Sequence, residues 1–577
     1  MKKGSALLAG LVLLTPQLME GQDRRVRDTD LPRWVEEEVV DFFNDSTTIH
    51  FTGRSRIPST RIVVGNVAAL GGPFTVAGEV EGDLVVVNGD LVFESGGNIT
   101  GEVLIVGGRV LGEDLGRIGG DLRVFSEPLR YVQRGDRISP ARREEEGSGP
   151  LRRDYAWGDA RFVVKTGQNY NRIEGLPVVF GPSIRTGGRN PLRLDAWGIW
   201  RTESGLELGE EDFGYMLRAE QSLGGRERIA LGATAFSYVD PVEDWGLTNL
   251  EASLATFVLH KDFRDYYERV GWSAYASLRF PRLPLELKAE YFQEDHNFRY
   301  VQGPWSLTKN NDPWRAQPLI AEGDVDYLET SLTVDTRNHP GEPTDGWYIQ
   351  GSSRWGIGGD LAIPAHRTST QEQAALVEAI PFDTDFVTGF LDVRSYNRVG
   401  PRSSLDLRGV FGGTLNDTPL PPQYQHALGG VGSLPGHTLF SGDCGARAQI
   451  RGYDVTEGEL SVRDPVYPGY GCDQIAVFQA EFRGSLFLDW DFGWNEDDEW
   501  EDDWDWYPRV EFSPDWSAFF NMGRGWTVDG LGDTDTLMDV GVGIHLGDLG
   551  VYYAHPLNED ESGGRDGNFF IRLSRRF

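Results

Sequence analysis

From about residue 155 onward, apolar and polar residues alternate along the chain with a period of two. That is the mark of strands with two unlike faces. The clearest case is a hairpin: Val270, Trp272, Ala274, Ala276, Leu278 and Phe280 share one face, and Leu285, Leu287, Ala289 and Tyr291 continue it beyond a Pro-containing turn. Ser, Arg, Glu and Lys fill the opposite face. Read in this way, the segments near 171–186, 191–202, 212–223, 227–239, 248–262, 270–280, 284–294, 325–336, 345–357, 371–382, 386–397, 403–413, 474–489, 508–521, 536–547, 549–557 and 567–577 are strands. That is seventeen. A single-chain barrel in lipid has an even number and no open edge, so about sixteen antiparallel strands are expected. Alternation alone does not separate a membrane barrel, with its polar face in the lumen, from a soluble sandwich, with its polar face in water.

Upstream the pattern changes. In residues 22–60, a charged stretch precedes Leu31, Trp34, Val35, Val39, Phe42 and Phe43, which fall at near-helical spacing and predict a short amphipathic helix. Residues 61–130 repeat short Val-rich runs with Gly or Asn at their ends: Ile62-Val63-Val64-Gly65-Asn66, Leu84-Val85-Val86-Val87-Asn88-Gly89, Val103-Leu104-Ile105-Val106-Gly107 and Leu122-Arg123-Val124-Phe125. Taking Val64, Val87, Val106 and Val124 as equivalent gives steps of 23, 19 and 18 residues. A period near 20 predicts a small β-solenoid, with a small β-sandwich as the other reading. The pattern resembles the bactofilin-type β-helix, a resemblance that implies self-association. Residues 131–154, with Pro140, Glu144, Gly147, Gly149 and Pro150, read as a linker into a barrel spanning 155–577.

Composition narrows the setting. The mean hydropathy is −0.39, and no internal stretch approaches the ~20 apolar residues of a membrane helix. Lys2 and Lys3 precede an apolar run from Ala6 to Leu14, so residues 1–21 read as a secretory signal peptide. A net charge of −34 argues against nucleic acid, which needs a basic face. The only cysteines, Cys444 and Cys472, form an even pair in an exported chain and suggest one disulfide. The last strand puts Phe569, Ile571, Leu573 and Phe577 on one face and Phe570, Arg572, Ser574 and Arg576 on the other. An apolar-out strand ending on an aromatic, here Phe577, is how outer-membrane barrels end.

The second half carries a more specific resemblance. Asp335-Thr336-Arg337, then Pro343 and Asp345-Gly346-Trp347, resembles the strand-turn-strand of the bacterial surface antigen superfamily. That group includes outer-membrane assembly and two-partner-secretion barrels. Residues 540–557 look like its penultimate strands, and Asn171-Arg172-Ile173-Glu174-Gly175-Leu176 resembles a barrel entry. The family's lumen-loop signature is matched by Gly429, Gly430, Gly432, Ser433, Leu434 and Gly436, with Pro435 where Arg is expected and His437 in place of an aromatic. Asn521 stands where the family's partner Asp would be. A literal Arg-Gly-Tyr occurs at Arg451, for which Glu481 is a candidate partner. The resemblance implies a loop folded back into the lumen. The alternative is that the loop is extracellular and pins nothing.

No catalytic motif is present, and the chain reads as no enzyme, with no cofactor. The acidic run from Asn495 to Trp506 lacks the spaced ligands and Gly of an ordered calcium loop and reads as a solvated turn. The resemblance implies protein or lipid translocation or assembly at the bacterial outer membrane. Outer-membrane lipid and a periplasmic or outer-membrane protein are the expected partners, with the N-terminal domain in the periplasm. A narrow plugged channel, or an anchor presenting the solenoid to a partner, are the alternatives.

Overall fold

The computed structural model describes residues 31–573 except 32, 113–115, 126–127, 135–136, 141–151, 156–157, 168, 189, 203–212, 225–227, 281–283, 310–311, 316, 339–342, 365–378, 401–402, 431–470, 486–514, 529–535, 547–548 and 559–566.

The N-terminal domain is a three-sided parallel coil. One side stacks Ile49–Thr52, Val67–Leu70, Leu84–Val87, Val103–Val106 and Leu122–Phe125. The other two stack four strands each. Parallel pairing throughout rules out the sandwich. Inward residues such as Val67, Val86, Ile105, Phe74 and Ile99 fill one apolar core. The corners are tight because glycines stack there: a Cβ on Gly89 would lie 2.0 Å from the Gly72 carbonyl oxygen, and one on Gly108 the same distance from that of Gly89.

Two expectations are corrected here. The coil starts at Ile49, twelve residues before the repeat is legible, because the first rung is charged and its strand Ile49–Thr52 pairs with Val67–Leu70. The proposed equivalence of Val64 and Val124 also fails: Val64 lies on another side of the coil, paired with Glu81, and Val124 is one residue short of Phe125, the partner of Val106. A one-residue slip swaps faces, and runs of consecutive Val hide the phase.

Helix α1 (Arg33–Asn44) lies on the outer side of the five-stranded face. Leu31, Val35, Val39 and Phe43 are buried against Leu70, Val85, Val87, Leu104 and Val106. Arg123 holds Glu38 at 2.5 Å. Burial works to lower the Arg123 pKa, but the hydrogen bond and charge of Glu38, with Glu102 and Asp121, leave it above its ordinary value. The expected linker is partly structured: Tyr131–Arg134 and Arg137–Pro140 form a hairpin. Ile138 joins the same cluster, and Asn44 bonds both main-chain groups of Ile138 (2.8 and 2.9 Å). Apolar residues inside a polar stretch find a partner that is remote in sequence.

The C-terminal domain is one antiparallel sheet in strict sequence order. Its sixteen longer strands are β1 (Gly158–Thr166), β2 (Pro177–Thr186), β3 (Leu192–Arg201), β4 (Phe213–Leu223), β5 (Ile229–Pro241), β6 (Tyr266–Phe280), β7 (Leu285–Asn297), β8 (Glu322–Asp335), β9 (Gly346–Ile363), β10 (Val387–Gly400), β11 (Ser403–Thr414), β12 (Gln474–Ser485), β13 (Asp515–Trp526), β14 (Leu537–Leu546), β15 (Leu549–Pro556) and β16 (Asn568–Arg572). Two short strips, Arg152–Tyr155 beside β1 and Ile380–Phe382 beside β9, complete the sheet.

The expected count of about sixteen stands, reached by a different set. Residues 248–262 are not a strand: helix α2 (Asn249–Leu259) occupies them. Of 371–382 only the three-residue strip is a described strand. Strand β1 was not expected, because its outward apolar residues are only Phe162 and Val164 amid polar neighbours.

The facing of the wall decides between barrel and sandwich. Phe180, Leu194, Leu217, Leu231, Trp272, Leu278, Val542, Ile544, Val551, Phe569 and Ile571 are exposed. Their neighbours Asp195, Ser273, Glu290, Glu294, Asp392, Asp406, Arg408, Glu481, Asn521, His545 and Arg572 are buried. Apolar outside and charged inside is stable only where the surroundings are lipid. The domain is a transmembrane β-barrel, although no helix among the described residues is long and apolar enough to cross a membrane.

Candidate functional site

The lumen is the site, and it is filled by the chain itself. Four connections pack together at one end of the barrel: the turn after β1, the β5–β6 connection carrying α2, the β7–β8 connection and the start of the β11–β12 connection.

The turn is built by Asn171. Its side-chain oxygen accepts from the N–H groups of Ile173 (2.9 Å) and Glu174 (2.8 Å), and Gly175 closes it at φ +68°. Arg172, completely buried, then donates to Asp265 (2.6 Å), Gln317 (2.7 Å) and the Arg264 carbonyl. Glu174 receives Arg201 at 3.0 Å, and Arg201 also holds Glu268 at 2.9 Å.

Helix α2 starts with a capping box. Thr248 accepts from the Glu251 N–H, and the Glu251 carboxylate accepts from the Thr248 N–H at 2.9 Å. The Thr-x-x-Glu signal was present in the sequence ahead of an apolar run. The alternation of that run suggested a strand instead. Glu251 also takes the Arg572 guanidinium of β16 at 2.6 Å. On the same helix, the Ser253 hydroxyl accepts from the Tyr170 N–H at 2.9 Å.

Ion pairs line the wall around these elements. Arg269 holds Glu294 and Asp240, each at 2.8 Å, and Glu294 meets His296 at 2.9 Å. Asp392 sits between Arg408 and Arg394, 2.7 Å from each, and Arg408 reaches the Trp245 carbonyl at 3.1 Å. Arg483 lies 3.0 Å from Asp406 and 3.2 Å from Glu481. Asn521 donates to Asp539 at 2.5 Å, so an acid does face this position, one strand over from the place expected. Single removals from such pairs leave an uncompensated buried charge and cost about 3–5 kcal/mol.

The β11–β12 connection begins by entering the lumen. Gln423 bonds the ring of His296 (2.9 Å) and the N–H of Ala321 (3.0 Å). His426 meets Glu243 at 2.7 Å. Leu428 packs with Val410, Ile475, Val477 and Cys472. Gly429 and Gly430 follow at φ +96° and +73°, values that favour glycine. Gly432, Ser433, Leu434, Pro435, Gly436, His437, Cys444, Arg451 and Phe577 lie outside the described residues. Cys472 is fully buried, and its main chain pairs with His426 (2.8 and 2.9 Å). The Asp335–Arg337 motif is a turn clasp at the barrel rim. Arg337 reaches Asp335 at 2.8 Å and stacks over Tyr348, Pro343 is buried, and Gly346 sits at φ +105°, where a Cβ would meet the Thr336 carbonyl.

Fold and site together define a transmembrane barrel whose lumen is stoppered by its own chain, preceded by a β-solenoid. No family model and no curated protein matches the chain. Among solved structures it is similar to BamA from Haemophilus ducreyi lacking POTRA domains 1-3: 12% identity, 72% of this chain and 70% of that one, TM-score 0.40. It is also similar to CdiB from Escherichia coli (10%, 78% and 67%, 0.33) and CdiB from Acinetobacter baumannii (12%, 72% and 59%, 0.28). The fold class rests on strand order and side-chain facing, not on these likenesses.

Proposed function

We propose that the protein is a bacterial outer-membrane barrel that translocates or assembles protein or lipid, closed at rest by its own helix and loops. The observation that carries this reading is the lumen: charged, buried and occupied by α2 and by Leu420–Gly430. A standing pore needs an open path, whereas a barrel that works by moving parts needs stored, reversible contacts of this polar kind. The end of the barrel with mostly short turns faces the periplasm, as in other such barrels. The even strand count supports a solenoid on that side, where it would meet a periplasmic partner.

Two measurements test the reading. In planar bilayers the intact protein is expected to stay closed. Cross-linked from its native envelope, it is expected to retain an unfolded outer-membrane protein or a lipid. Steady conductance with no bound client would replace this reading with that of a channel.

A further inference from the structure

Strand β16 pairs with β15 through five residues. Among the described residues no strand pairs with its other edge; neither β1 nor the Arg152–Tyr155 strip does. What bridges the two ends of the sheet is α2. Its Glu251 carboxylate accepts from Arg572 at 2.6 Å and from the main-chain N–H of Leu573 at 3.0 Å. Two residues on, Ser253 accepts from the main-chain N–H of Tyr170, four residues past the end of β1. A turn later, Phe257 meets the Tyr170 ring edge-on, with ring centroids 5.5 Å apart. Glu251, Ser253 and Phe257 are all buried. The Leu573 contact is the telling one. A main-chain donor just beyond the last paired residue is what a neighbouring strand would take, and here a helix side chain holds it.

We propose that α2 is an internal staple across the seam between the first and last strands, and that its undocking from β16 frees the seam. The inference stands on barrel geometry and does not depend on what the barrel handles.

Amide hydrogen exchange of the full chain in lipid nanodiscs tests it. Glu251→Ala is expected to speed exchange at residues 568–573 at least tenfold, the effect of losing charge-assisted hydrogen bonds, with β6–β9 unchanged. Thr248→Ala removes the hydroxyl that caps the helix and donates to Glu251 Oε2, but leaves the Arg572 and Leu573 contacts with Oε1 in place, and is expected to leave 568–573 within twofold of wild type. If Glu251→Ala fails to insert, Arg572→Gln keeps the helix cap intact and carries the same expectation. Unchanged exchange at 568–573 in the Glu251 or Arg572 variant overturns the staple. So does an equal acceleration by Thr248→Ala, which would make helix stability the cause.

Discussion

The solenoid and the barrel are built from the same alternation and bury opposite things. In the solenoid Val67, Val86 and Ile105 point inward and the polar residues face out. In the barrel Asp392, Arg408 and Glu294 point inward, and Leu217 and Val542 face out. Nothing in a period of two carries that sign. The surroundings supply it: water around the first domain makes its apolar face the inner one, and lipid around the second makes its apolar face the outer one.

Substitutions that exchange the two rules sharpen the contrast. The largest effect is expected from Ile105→Asp, which puts a carboxylate among Val and Leu. It should cost on the order of 5 kcal/mol and unfold the solenoid. Circular dichroism of the isolated thermal transition checks this, with heat-modifiable gel migration of the barrel retained. Next is Asp392→Ala, the mirror image in the barrel. It strands Arg408 and Arg394 and should cost about 3–5 kcal/mol, read from the urea midpoint in lipid. Leu217→Arg, at mid-height on the outer wall, should cost about 2–4 kcal/mol in the same assay. Val64→Arg, exposed on the solenoid, should leave its melting temperature within error. The absence of any loss at Leu217, as at Val64, would show that both surfaces face water and would remove the membrane from the account.

Much of the fold was legible because strands and coils are local patterns. Strand count, the solenoid and α1 all came from spacing. The misses share one cause: the deciding contact lies far along the chain. Residues 248–262 alternate well enough to read as a strand, and only the Thr248–Glu251 box marks a helix. Strand β1 gains its place from β2, not from its own sparse apolar residues. The hairpin at 131–140 gains its place from α1. The lumen was the least legible part. The glycine motif pointed to a loop that falls largely outside the described residues, and no spacing rule links Arg408 to Trp245, Gln423 to His296 or Arg172 to Asp265.

The Glu251–Arg572 pair has a consequence in time. Its partners stand 321 residues apart, and Arg572 belongs to the last described strand of the sheet. Contacts of such separation form late, after the intervening chain is ordered. A chain cut short before β16 would therefore carry a helix whose buried acid lacks its Arg572 partner, and its interior would remain unsettled until β16 is in place. The pair thus ties the settling of the helix to the arrival of β16, however early the helix itself is made.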